Sequence, residues 1–117
     1  MAVLILAFTA PASACELRMG WEPWKPYQYQ DNQGEVKGLD IDLMRAIADR
    51  MDCELTLLRR PWKRHLKELR EGRIDLAAGA DYSAERVQFA YFSNAYRTET
   101  VHLFVRRCEH KTHPPPF

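Results

Sequence analysis

The chain has 117 residues, 46% hydrophobic and 28% charged, which is material for one compact domain with a core and too little for two. Its 17 Lys plus Arg stand against 16 Asp plus Glu and are spread along the sequence rather than massed. That balance excludes the basic face on which a nucleic-acid binder depends, so nucleic acid is not an expected partner.

The first fourteen residues, Met1-Ala-Val-Leu-Ile-Leu-Ala-Phe-Thr-Ala-Pro-Ala-Ser-Ala14, are an apolar run that closes on Ala12-Ser13-Ala14. Such a run with an A-x-A end is the pattern of a secretory signal peptide, and it is shorter than the roughly 20 residues a bilayer span needs. The expectation is a leader over residues 1–14, a mature chain from Cys15, and a periplasmic or extracellular location. No Lys or Arg precedes the run, so the natural start is expected to lie upstream of Met1. A lipoprotein signal is the alternative, because Cys15 follows small residues, although Ala12 stands where such signals carry Leu.

Residues 17–21 alternate apolar and polar up to Gly20, and Pro23 and Pro26 then forbid helix, so a short strand runs into a loop holding Trp24, Tyr27 and Tyr29. Asp31-Asn-Gln-Gly34 is a turn. Ile41, Leu43, Met44, Ile47, Ala48 and Met51 recur at three and four residues and form one helical face, which Asp40 is placed to cap. Residues 53–58 form a second strand, Pro61 opens a second helix, and Trp62, Leu66 and Leu69 supply its buried stripe until Gly72.

A third strand follows at residues 74–78, then a helical turn at 83–86, aromatics at 89–92 and a further strand at 101–105. The βαβαβ order predicts an α/β domain with an open, mostly parallel sheet. From Cys108 onward three consecutive prolines and the loss of periodicity predict a disordered tail over 107–117.

Export makes the cysteines interpretable. Cys15 and Cys53 open two strands whose starts lie side by side in a parallel pair, so a Cys15–Cys53 disulfide is geometrically reasonable, and Cys108 is left odd. His102, His110 and His113 have no ligand spacing, and no cofactor or metal is expected. Neither Ser83 nor Ser93 has a base nearby in sequence, so no nucleophilic site is expected.

Ligands of open parallel sheets sit beyond the carboxyl ends of the strands, which directs attention to the loops after Gly20, Leu58 and Ala78. These loops carry Trp21, Glu22, Trp24 and Tyr27, then Arg59, Arg60 and Trp62, then Gly79, Asp81 and Arg86. Rings beside a few charges suit a small, partly apolar, charged solute. Trp62 reads first as a core residue of its helix; Trp21 and Trp24 read equally as rings packed on the sheet edge, and Glu85 and Arg86 as solvated helix charges.

Leu17-Arg-Met-Gly-Trp-Glu-Pro-Trp-Lys-Pro-Tyr27, Gly38-Leu-Asp-Ile-Asp-Leu43, Gly72-Arg-Ile-Asp-Leu-Ala-Ala-Gly79, Ser83-Ala-Glu-Arg86 and Tyr91-Phe-Ser-Asn-Ala-Tyr96 stand in the order of the signatures of family 3 extracellular solute-binding proteins, the polar amino-acid group. The chain resembles the first lobe of such a protein over residues 15–106. The resemblance implies a periplasmic-binding-protein-like lobe of a two-lobed clamp that delivers an amino acid to the permease of an ABC importer. It implies that Arg86 grips the solute carboxylate, that Trp24 and Tyr27 cover the solute, that Glu22 meets its amino group, and that Gly79 and Asp81 add contacts. Many members carry Ser or Thr where Asp81 stands; an ionised carboxylate does not donate a hydrogen bond and repels anions, which turns the expectation toward a cationic or otherwise different solute.

The second lobe and hinge of the family are missing after Val105, so the expectation is a truncated single lobe of weak affinity. The expectation is a binder rather than an enzyme. The alternative readings are an enzyme of the same fold, as in cyclohexadienyl dehydratases or domains attached to lytic transglycosylases, and the sensor module of a receptor.

Overall fold

The computed structural model describes residues 15–104; the expected leader at 1–14 and tail at 107–117 lie outside them. Strand β1 (Cys15–Trp21) and strand β4 (Cys53–Arg59) pair in parallel, in a register that sets Cys15 against Cys53 and Trp21 against Arg59. Between them come the two-residue strands β2 (Tyr29–Gln30) and β3 (Val36–Lys37), paired antiparallel, and helix α1 (Leu39–Arg50). Helix α2 (Trp62–Arg70) follows β4, and a single 3-10 turn spans Arg86–Gln88. The α/β class and the first parallel βαβ unit match the expectation.

The side chains of β1 alternate, and each face receives its own helix. Met19 and Trp21 point with Ile41 of α1 and Ala78 into a core joined by Leu55, Leu57, Met44, Val36 and Leu76. Gly20 points the other way, against α2. A Cβ there would lie 2.5 Å from the His65 ring, so the missing side chain is what lets α2 approach the strand. The strand starts are tied together by a bond between the sulfurs of Cys15 and Cys53, 38 residues apart in sequence.

Four expectations are corrected. The third strand at 74–78 is reduced to one parallel bridge, Met19 to Leu76, with the Asp75 and Leu76 amides both donating to the Arg18 carbonyl. The Arg18 guanidinium grips the Asp75 carboxylate through two hydrogen bonds of 2.9 Å, so a side-chain fork joins the two segments where a longer ladder was expected. Residues 101–104 pair with nothing among the described residues and form no strand.

Asp40 does not cap α1. Gly38 occupies the cap position without a side-chain bond, and Asp40 is turned inward, 1% exposed. In α2 the deepest residues are His65 and Glu68, with Trp62, Leu66 and Leu69 half-buried beside them. The exchange has a cause: His65 fills the space over Gly20, and the Glu68 carboxylate is compensated by Arg60 at 3.0 Å and Arg64 at 2.7 Å.

Candidate functional site

A cavity of about 370 Å³ opens beyond the carboxyl ends of β1, β4 and the 74–78 segment, where an open parallel sheet binds its ligands. Five of the six residues expected to hold a solute line it: Glu22, Trp24, Gly79, Asp81 and Arg86. Tyr27 stands behind the wall instead, its ring packed edge-on to Trp24 at 5.1 Å. Trp21, by contrast, is 3% exposed in the core, so for that ring the packing role is the observed one.

Each side chain is held by an identifiable local feature. The loop after β1 turns back through hydrogen bonds between Trp24 and Gln28, which expose the Trp24 ring at the rim. Glu22 accepts a hydrogen bond from the Trp62 amide at 2.9 Å, so its carboxylate serves the start of α2, where the free amides and the helix dipole favour negative charge. Arg86 donates from Nη1 to the Asp81 carbonyl at 2.7 Å and lies 5.7 Å over the Trp62 ring. The loop 81–86 is closed by that bond and by the Arg86 amide on Ser83 Oγ. The carboxylate of Asp81 is exposed and makes no ion pair among the described residues.

His65 also lines the cavity. It was missed because a polar residue in a helix with an apolar stripe reads as solvent-facing. Burial pushes its imidazole below the ordinary histidine range, while its Nε2 sits 3.3 Å from the Leu76 carbonyl. At neutral pH it adds no charge, and the cavity wall carries the carboxylates of Glu22 and Asp81 against the single guanidinium of Arg86.

A second group of missed residues lies beside the cavity. Asp40 accepts from Gln28 Nε2 at 3.1 Å and from the Tyr96 hydroxyl at 3.0 Å, and Arg97 Nη2 approaches it at 3.4 Å. The same Tyr96 hydroxyl accepts from the Gly79 amide at 2.8 Å. Gly79 has a φ of 77°, and a Cβ there would meet Arg97 at 2.8 Å and Trp24 at 3.0 Å, so glycine is needed on both counts. Burial holds the Tyr96 phenol above its ordinary pKa. No sequence signal links residues 96–97 to Asp40 across 56 positions, which is why this network was not anticipated. Among the described residues no group of His, Cys, Asp and Glu is arranged to hold a metal.

The parallel βαβ unit with its cavity at the strand ends defines a lobe of the periplasmic-binding-protein type. Residues 17–112 match the model of bacterial extracellular solute-binding proteins, family 3, and the chain belongs to that family.

Among curated relatives, the cyclohexadienyl dehydratase of Pseudomonas aeruginosa is 28% identical over 62% of this chain and 28% of its own length. The ABC transporter arginine-binding protein 1 of Escherichia coli is 26% identical over 96% of this chain and 47% of its own. The chain thus spans between a quarter and a half of the length of these relatives. A solved binding component of an ABC transporter from Wolinella succinogenes, complexed with lysine, superposes with a TM-score of 0.58 at 34% identity, over 63% of this chain and 33% of that one.

Proposed function

We propose that this chain captures a small amino acid outside the cytoplasm for delivery to an ABC importer, with the cavity at the strand ends as its half of the site. The supporting observation is that five residues singled out from sequence line a single cavity at that location. In this reading Arg86 holds the solute carboxylate through its guanidinium fork, and Trp62 and Trp24 shed water around the aliphatic part. Glu22 and Asp81 outnumber Arg86 in formal charge, so a solute carrying an extra cation is favoured over a neutral or acidic one.

The names of the arginine-binding relative and the lysine-bound structure lend this choice support. The dehydratase relative favours the enzymatic alternative less than it first suggests, because Glu22 is spent on the start of α2 and Asp81 is exposed. Neither is a buried, unpaired carboxyl of the kind that acid–base catalysis employs.

Calorimetric titration of the full chain with L-arginine, L-lysine, L-glutamine and L-glutamate tests the reading. Saturable binding of the cationic pair, lost by about tenfold or more in Arg86→Ala, is the expected result. Equal binding by Arg86→Ala, or preference for L-glutamate, would refute the assignment.

A further inference from the structure

The guanidinium of Arg97 lies 3.7 Å from the ring centroid of Tyr27 and 4.7 Å from that of Trp24, within the range of a strong cation–π contact. Its Nε is 3.4 Å from the buried Asp40 carboxylate, and Glu99 flanks its Nη1. Meanwhile the neighbouring Tyr96 hydroxyl takes the hydrogen bond of the Gly79 amide. Residues 96–97 therefore engage Trp24, Tyr27 and Gly79, three of the six groups expected to receive a solute.

We propose that Arg97 is a built-in cationic occupant of the Trp24–Tyr27 face, so that a solute's own cation gains that face only by displacing it. This rests on the solute-binding reading above and adds to it a specificity-determining residue. Two observations favour displacement over a fixed structural role. The contacts of Arg97 to Asp40 are long, 3.4 Å from Nε and 3.4 Å from Nη2, so the group is held by ring faces and opposite charge rather than by a short, paired fork. Residues 90–104 also form neither helix nor strand, so no ladder of backbone bonds fixes its Cα. Asp40, 1% exposed, is then the counter-charge for whichever cation occupies the face, and Gln28 and Tyr96 keep its oxygens bonded during an exchange.

The exchange predicts a selectivity pattern that a mere staple would not produce. In Arg97→Ala the face is vacant, and L-arginine should bind about tenfold more tightly than to the wild-type chain, whereas L-glutamine affinity changes by less than about twofold. In Arg97→Lys the occupant persists and L-arginine affinity stays near wild type. A second readout needs no solute: low-millimolar guanidinium ion should raise the melting midpoint of Arg97→Ala and leave the wild type unmoved, with sodium at equal ionic strength as control.

Unchanged or weaker L-arginine binding by folded Arg97→Ala, or equal guanidinium responses, would overturn the proposal. If no chain binds any amino acid, the solute reading fails and the guanidinium arm alone decides the role of Arg97. Should Arg97→Ala fail to fold with Asp40 unpaired, Arg97→Gln removes the cation while leaving the Asp40 charge and an amide donor beside it; guanidinium-insensitive melting together with wild-type L-arginine affinity in that variant would equally overturn the proposal.

Discussion

Removing the Cys15–Cys53 bond is the sharpest test of the fold, because its effect is calculable from the chain alone. The bond closes a loop of 38 residues, and in the chain-entropy account a loop of that size withdraws about 4 kcal/mol of freedom from the unfolded state. The folded state loses little in exchange, since the parallel register already holds Cys15 opposite Cys53. For a domain of this size, 4 kcal/mol corresponds to a fall of about 20 °C in melting midpoint. The comparison is the full chain against Cys15→Ala/Cys53→Ala, both carrying Cys108→Ser, followed by far-ultraviolet circular dichroism. A fall of less than about 5 °C would refute the reasoning, because it would mean that the two strand starts are not linked or that the unfolded chain is compact without the link.

Gly20→Ala places a methyl group against the His65 ring and should cost about 1–3 kcal/mol by pushing α2 from β1, read as a lower denaturant midpoint at unchanged slope. Burial lowers the His65 pKa in the fold, so the unfolded chain binds the proton first; stability should decline as pH falls below about 6.5, and His65→Gln should flatten that part of the profile. The Arg64 and Arg60 guanidinium groups hold Glu68 below the ordinary carboxylate range, so its contribution is present above about pH 4.5 and is lost as pH falls further. Glu68→Gln should therefore lower the melting midpoint at pH 7 and change it little at pH 3.

What could be read from the residues follows from the range of the interactions involved. The helix over 39–50, the strand pair with Cys15 opposite Cys53 and the loop aromatics all rest on local periodicity or turn chemistry, and they lie close to where these place them. The inward turn of Asp40 was not legible, because an aspartate in a first helical turn looks the same whether it caps or faces Tyr96 and Arg97 more than fifty positions later. The burial of His65 and Glu68 was hidden for a related reason: their partners are Gly20, Arg60 and Arg64, and only the packing of α2 on β1 brings Gly20 to the helix.

The site divides along the same line. Arg86, Asp81 and Gly79 follow the 74–78 segment bridged to β1, and Glu22 and Trp24 follow β1 itself, so that adjacency gathers them into one cavity. Their partners alter what the residue types imply. Glu22 looked like a free anion for an amino group, yet the Trp62 amide holds one of its oxygens. Trp24 and Tyr27 looked like a cover awaiting a solute, yet the guanidinium of Arg97 already lies on them. Gly79 looked like a free donor, yet its amide is taken by Tyr96. Arg86 spends Nη1 on the Asp81 carbonyl, while the Asp81 carboxylate makes no ion pair among the described residues; these two charges of opposite sign share one short loop, and the proposed reading assigns them the first contact with an amino acid.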